Sequence, residues 1–102
     1  MNKGLSMVGL ATRARGTVSG EFATEKAIKE KKAKLVIVAT DASDNTKKLF
    51  KNKCEFYNVP FFIVGNKEEL GKVTGSVMRA SLAVTDGRFS ENIIEKLKQD
   101  EI

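Results

Sequence analysis

A three-layer α-β-α sandwich, with helices on both faces of a mostly parallel or mixed sheet, is the fold class that this sequence predicts. Three observations carry it. Segments rich in β-branched and aromatic residues alternate with segments of helical period along the whole chain. One of them, Lys34 to Ala39, is unbroken in its apolar character after the first residue, as expected of a central strand covered on both faces. The chain has 102 residues, 41% of them apolar, enough for a single domain, 1–102, to bury a core without disulfides or a metal.

Leu5, Val8, Gly9 and Leu10 recur at helical spacing, and this first helix is expected to stop before Arg15-Gly16, with Gly16 taking the left-handed conformation of a C-terminal cap. Thr17-Val18-Ser19 follows as a short strand. Gly20 opens a second helix reaching about Lys31; Phe22, Ala23, Ala27 and Ile28 form its apolar face, and Glu21 sits where the macrodipole favours a carboxylate. After the central strand, Thr40-Asp41-Ala42-Ser43 reads as a loop. Ser43 or Asp44 then caps a helix that turns Leu49, Phe50, Cys54 and Tyr57 inward and ends at Asn58-Val59-Pro60. Phe61 to Val64 is expected as a second buried strand, Gly65-Asn66 as a turn, and Lys67 to Lys72 as a short helix. A strand develops out of Val77 to Thr85, centred on Leu82-Ala83-Val84. The last helix is expected from Ser90, with Phe89, Ile93, Ile94 and Leu97 on the core, before the charged tail Lys98-Gln99-Asp100-Glu101.

The net charge of +5 is unevenly placed. Residues 1–53 hold 12 Lys and Arg against 5 Asp and Glu, whereas residues 54–102 hold 6 against 8. The first half therefore carries the positive potential that draws phosphate backbones through counterion release. No apolar run is long enough for a membrane span and the first residues lack a secretory pattern, so a cytoplasmic protein with no membrane partner is expected. The single cysteine, Cys54, has no histidine in the chain to activate it and reads as a core residue. The glycines form no nucleotide-binding motif, and without a Cys/His cluster no zinc site is expected. An enzyme is not expected: Asp41, at the carboxyl end of the central strand, has cap and turn formers for neighbours and reads as a loop organiser.

Three stretches, taken in order, resemble a known family: S-G-E-F-A-T-E-K-A-I at Ser19 to Ile28, K-A-K-L-V-I-V-A-T-D-A-S at Lys32 to Ser43, and V-P-F-F-I-V-G-N-K-E-E-L-G at Val59 to Gly71. With C-E-F-Y-N-V-P at Cys54 to Pro60, they resemble the L-seven-Ae/L-thirty-e ribosomal proteins, most closely the small bacterial YlxQ-like branch, over Leu5 to about Phe89. The resemblance implies a mixed sheet of about four strands within the sandwich, and binding to RNA at kink-turns or similarly bent sites. Such RNA offers base edges and extruded bases that a regular A-form helix hides.

Carried over position by position, Gly20 matches the family glycine that starts the RNA-facing helix, and Lys26 the family lysine further along it. Phe22 and Ala23 stand where archaeal and eukaryotic members usually carry an Asn-Glu pair reading sheared purines, which leaves that contact to Glu21, to Thr24 or to a shifted register. Val77 and Met78 fall where the family packs apolar residues on an extruded base, and Arg79 is placed to reach a phosphate or stack. Lys26 and Lys29, followed by Lys31, Lys32 and Lys34, are read as tracking a phosphate backbone, with Arg13 and Arg15 either widening the basic surface or merely solubilising. Lys47, Lys48, Lys51 and Lys53 read as a solvated face, with Asp44 pairing Lys47 or Lys48. Phe22 either stacks on a base or, the preferred reading at its spacing, lies in or half in the core.

The resulting expectation is a non-catalytic RNA-binding protein of the ribosome or of RNA processing, contacting RNA through Gly20, Glu21, Phe22, Lys26, Lys29, Thr40, Asp41, Val77, Met78 and Arg79. The expected partner is structured RNA, ribosomal or otherwise kinked, with the ribosome as a further candidate and with no cofactor, metal or small-molecule substrate. The alternative is a protein–protein adaptor on the same fold.

Overall fold

The computed structural model describes residues 2–100. Five helices and four strands alternate as α1 (Lys3–Arg13), β1 (Thr17–Ser19), α2 (Glu21–Lys29), β2 (Leu35–Val38), α3 (Asp44–Tyr57), β3 (Phe61–Ile63), α4 (Lys67–Val73), β4 (Ser81–Val84) and α5 (Gly87–Asp100). The strands form one mixed sheet in the order β1-β4-β2-β3, in which β4 runs antiparallel to both its neighbours and β2 and β3 are parallel. Helices α1, α4 and α5 pack together on one face, and α2 and α3 cover the other. The expected three-layer α-β-α sandwich is thus observed. Among the described residues no helix is long and apolar enough to cross a membrane.

Strand position explains burial. The two inner strands, β2 and β4, are buried at every residue because helices cover both their faces. The outer strand β3 is not the fully buried strand expected: Phe61 and Phe62 are half-buried and Ile63 is 45% exposed, since β3 has a neighbour on one side only. Strand β4 starts at Ser81 and not near Val77, because the chain before it is held by α4, with the Arg79 amide donating to the Lys67 carbonyl at 3.0 Å.

Four helices end alike. After α1 the Arg15 amide donates to the Thr12 carbonyl and the Gly16 amide to the Ala11 carbonyl, a Schellman turn whose left-handed residue is Arg15 (φ 60°) and not Gly16. The same pair of bonds closes α2 around Lys31 (φ 61°), so this helix stops at Lys29, two residues early. Asn58 plays that part after α3, and Gly75 after α4. At the other ends, Ser43 caps α3 as expected. Helix α5 begins at Gly87, three residues before Ser90, because Asp86 accepts from the Phe89 amide at 3.0 Å. Ser90 is instead buried within the helix, its hydroxyl donating to the Gly87 carbonyl. The helix runs on to Asp100, so Lys98-Gln99-Asp100 is its last turn and no separate tail; Glu101 lies outside the described residues.

Candidate nucleic-acid interface

The sheet register decides which loops meet. Ser19 lies opposite Leu82, Ile37 also opposite Leu82, and Val38 opposite both Ser81 and Ile63. The chain leaving β1, β2 and β3 and the chain entering β4 therefore share one end of the sheet. Gly20, Thr40, Asp41 and Arg79 all lie there, together with the start of α2 and the start of α4.

Gly20 is the N-cap of α2, with φ +93° and ψ 158°, a backbone that disfavours any side chain. No side chain caps α2. In each of the other helices a side chain accepts from a first-turn amide: Asn2 for α1, Ser43 for α3, Asn66 for α4 and Asp86 for α5. The opening amides of α2 are thus left to whatever approaches Gly20, and the helix dipole adds a partial positive charge.

Arg79 stands beside this opening. Its Nε donates to Ser19 Oγ at 3.1 Å and its Nη1 to the Met78 carbonyl at 3.0 Å, and a Cβ placed on Gly20 would lie 3.9 Å from Nε. Two of the five guanidinium donors thereby fix the group's orientation, and the others remain for a ligand. Val77 (84%) and Met78 (52%) are exposed on the loop before Arg79. That loop lies against α4 because Gly71 has no side chain: a Cβ there would come within 2.7 Å of the Met78 nitrogen and inside contact distance of the Val77 carbonyl. Gly71 and Ser19 are the supporting residues that sequence reasoning missed. A glycine inside a short helix is the one signal that pointed to a close backbone approach.

Asp41 has the structural role read for it. Its Oδ1 accepts from the Lys67 amide at 2.9 Å, across 26 residues, and the Thr40 amide donates to the Gly65 carbonyl at 2.7 Å. The β2 loop is thereby tied to the start of α4, where Asn66 and Glu69 form a capping box.

On α2 two expectations are corrected. Phe22 is 80% exposed, which removes it from the core, while Thr24 is fully buried with its hydroxyl 3.3 Å from Ser81 Oγ. The buried stripe is Thr24, Ala27 and Ile28. Phe22 lies about 200° around the helix from Thr24 and so faces solvent. Thr24 is unavailable to read purines, and of the two candidates only Glu21 is exposed. Lys26 has no carboxylate within ion-pair distance among the described residues, whereas Lys29 pairs with Glu25 at 3.8 Å, and Glu25 also holds Lys53 at 3.5 Å. The expected Asp44 pair with Lys47 or Lys48 is not among the ion pairs of the described residues. Lys32 borders one depression with Phe22, Lys26 and Glu30, whereas Lys31, the left-handed residue that ends α2, and Lys34 line a separate cleft towards the opposite end of the sheet. Cys54 is buried, and burial pushes its thiol up to about 12, as suits an inert core residue.

The sequence matches the profile of the ribosomal protein L7Ae/L30e/S12e/Gadd45 family over residues 2–94. It is 43% identical to the RNA-binding protein YlxQ of Bacillus subtilis strain 168, covering 89% of this chain and 91% of that protein. It is 36% identical to the RNA-binding protein YlxQ of Enterococcus faecium, covering 94% and 92%. The solved structure of a protein of unknown function from Bacillus halodurans C superposes with a TM-score of 0.91 at 37% identity, covering 96% of this chain and 99% of that one. The Giardia lamblia 15.5kD RNA binding protein superposes with a TM-score of 0.79 at 24% identity, covering 93% and 84%, a likeness of fold alone.

Proposed function

The chain belongs to the ribosomal protein L7Ae/L30e/S12e/Gadd45 family, and from that premise we propose that it is a non-catalytic RNA-binding protein of the ribosome or of RNA processing that recognises a kink-turn or similarly bent RNA. The observation that carries the reading is the uncapped start of α2 beside a guanidinium already held in place. A phosphate at Gly20 meets backbone N–H groups, a favourable dipole and the free donors of Arg79 at once. Val77 and Met78 supply an apolar surface against which an extruded base packs, and exposed Phe22 offers a second stacking face. Glu21, exposed at the first turn, takes the purine-edge contact in place of the Asn-Glu pair. Lys26 steers the backbone, while Thr40 and Asp41 hold the loops in register and contribute little direct contact.

The names of the relatives support RNA as the ligand class. The test is a salt titration of binding to a kink-turn RNA beside a straight duplex of the same length. Charge alone gives equal affinities that fall together with salt; shape recognition gives tighter binding to the kinked RNA that persists as salt rises. Equal or absent binding to both overturns the reading. It would favour the adaptor, for which the exposed Phe22, Val77 and Met78 would be the contact residues.

A further inference from the structure

The other end of the sheet holds a second surface whose chemistry the family assignment does not use. A cleft runs between the turn after α2 and the turn after α3, lined by Lys31, Lys34, Tyr57, Asn58 and Pro60 among others. Tyr57 also borders the neighbouring depression on α3 that contains Phe56. We propose that this surface binds single-stranded RNA, with Lys31 and Lys34 on the phosphates and Phe56 stacked on an unpaired base.

The two kinds of contact rest on separate observations. Of the lysines in the turn, Lys32 reaches Glu30 at 3.4 Å, but Lys31 and Lys34 have no carboxylate within ion-pair distance among the described residues. Lys31 holds a left-handed φ of 61°, and the Schellman bonds of the turn fix it there. Lys34 is fixed by its amide, which donates to the Val84 carbonyl at 2.8 Å. Phe56 is 79% exposed, and Tyr57 braces it edge-to-face, with ring centroids 4.9 Å apart and planes at 75°. Tyr57, which borders both depressions, joins the exposed ring to the cleft that holds the unpaired cations, and an aromatic face within a few residues of such charges suits unpaired nucleotides: every base has a face to stack, and the backbone follows the charges. A duplex fits less well, because its bases present no free face. Compensation of the helix dipole accounts for a cation near the end of α2, but not for Lys34 or for an exposed Phe56.

The surface is distinct from the Gly20 and Arg79 end, so the two fail separately. The probe is a fluorescent oligouridine of about eight nucleotides, titrated by anisotropy over a range of salt, with a duplex of equal length beside it. Lys31→Gly combined with Lys34→Gln removes both amines while relieving the left-handed strain, so the fold is kept, as a thermal melt verifies. This variant is expected to flatten the salt dependence by roughly 1.4 units of slope. Phe56→Ala is expected to weaken binding about tenfold with the slope unchanged. Lys98→Gln, an exposed α5 residue on the opposite face of the sheet from Phe56, should leave oligouridine binding as it was. Absent oligouridine binding, an unchanged slope in the double variant, or duplex bound as tightly as the single strand would each overturn the proposal, and none of them touches kink-turn recognition.

Discussion

The two ends of the sheet are built by opposite means. At the Gly20 end, acidic and basic residues are interspersed, and the features that suit RNA are held by backbone: an uncapped helix start, a guanidinium pinned by Ser19 and Met78, and a loop seated on Gly71. At the Lys31 end the charges are plentiful and exposed, with Arg13, Arg15, Lys31, Lys32 and Lys34 set around the ends of α1 and α2 and the start of β2. Much of the basic surplus that stands out in the first half of the sequence therefore gathers away from the end proposed for recognition. Net charge governs encounter and non-specific attraction, whereas specificity needs donors held in fixed positions. A basic half-sequence therefore says little about where on the sheet fixed donors converge.

The comparison can be broken from either end, and the largest effect is expected at Gly71. Gly71→Val forces the Val77-Met78 backbone off α4, which should cost about 1–3 kcal/mol in a denaturant titration and weaken kink-turn binding more than tenfold. Oligouridine binding at the far end should survive wherever the protein remains folded. Next comes Arg79→Ala, which removes a charged donor without disturbing the core; a loss of about 2 kcal/mol in kink-turn affinity is expected by anisotropy, with the melting temperature little changed. Lys26→Ala should weaken binding uniformly across RNA sequences and lower the salt slope by about one unit. An unchanged slope would take Lys26 out of the interface. The smallest effect is expected from Arg15→Gly, which relieves a left-handed non-glycine residue and should raise stability by up to about 1 kcal/mol, leaving kink-turn affinity as it was.

Local chemistry made most of the fold legible. The Leu35–Val38 strand, the Ser43 cap and the turn at Gly65-Asn66 depend on near neighbours in sequence, and all stand where the pattern puts them. What failed depends on distant partners. Phe22 points to water because Thr24 pairs with Ser81, 57 residues away, and that contact fixes the rotation of α2. Strand β3 is an edge only because of the sheet order. At the start of α5 two good capping residues compete, and Asp86 wins over Ser90. The candidate site was legible as a set of loops, through the resemblance. Its geometry was not, since the hydrogen bond from Arg79 to Ser19 spans 60 residues and the seat that Gly71 provides shows in the sequence only as a glycine inside a short helix.

The most direct test of the central claim, that recognition lies at the Gly20 and Arg79 end, is an amide chemical-shift map of the labelled protein titrated with kink-turn RNA. The account predicts the largest changes at Gly20 to Ala23 and Val77 to Arg79, smaller ones at Thr40 and Lys67, and a silent α1 and α5 face. Changes centred on that face, or on Lys31 and Lys34 with Gly20 and Arg79 unmoved, would contradict it.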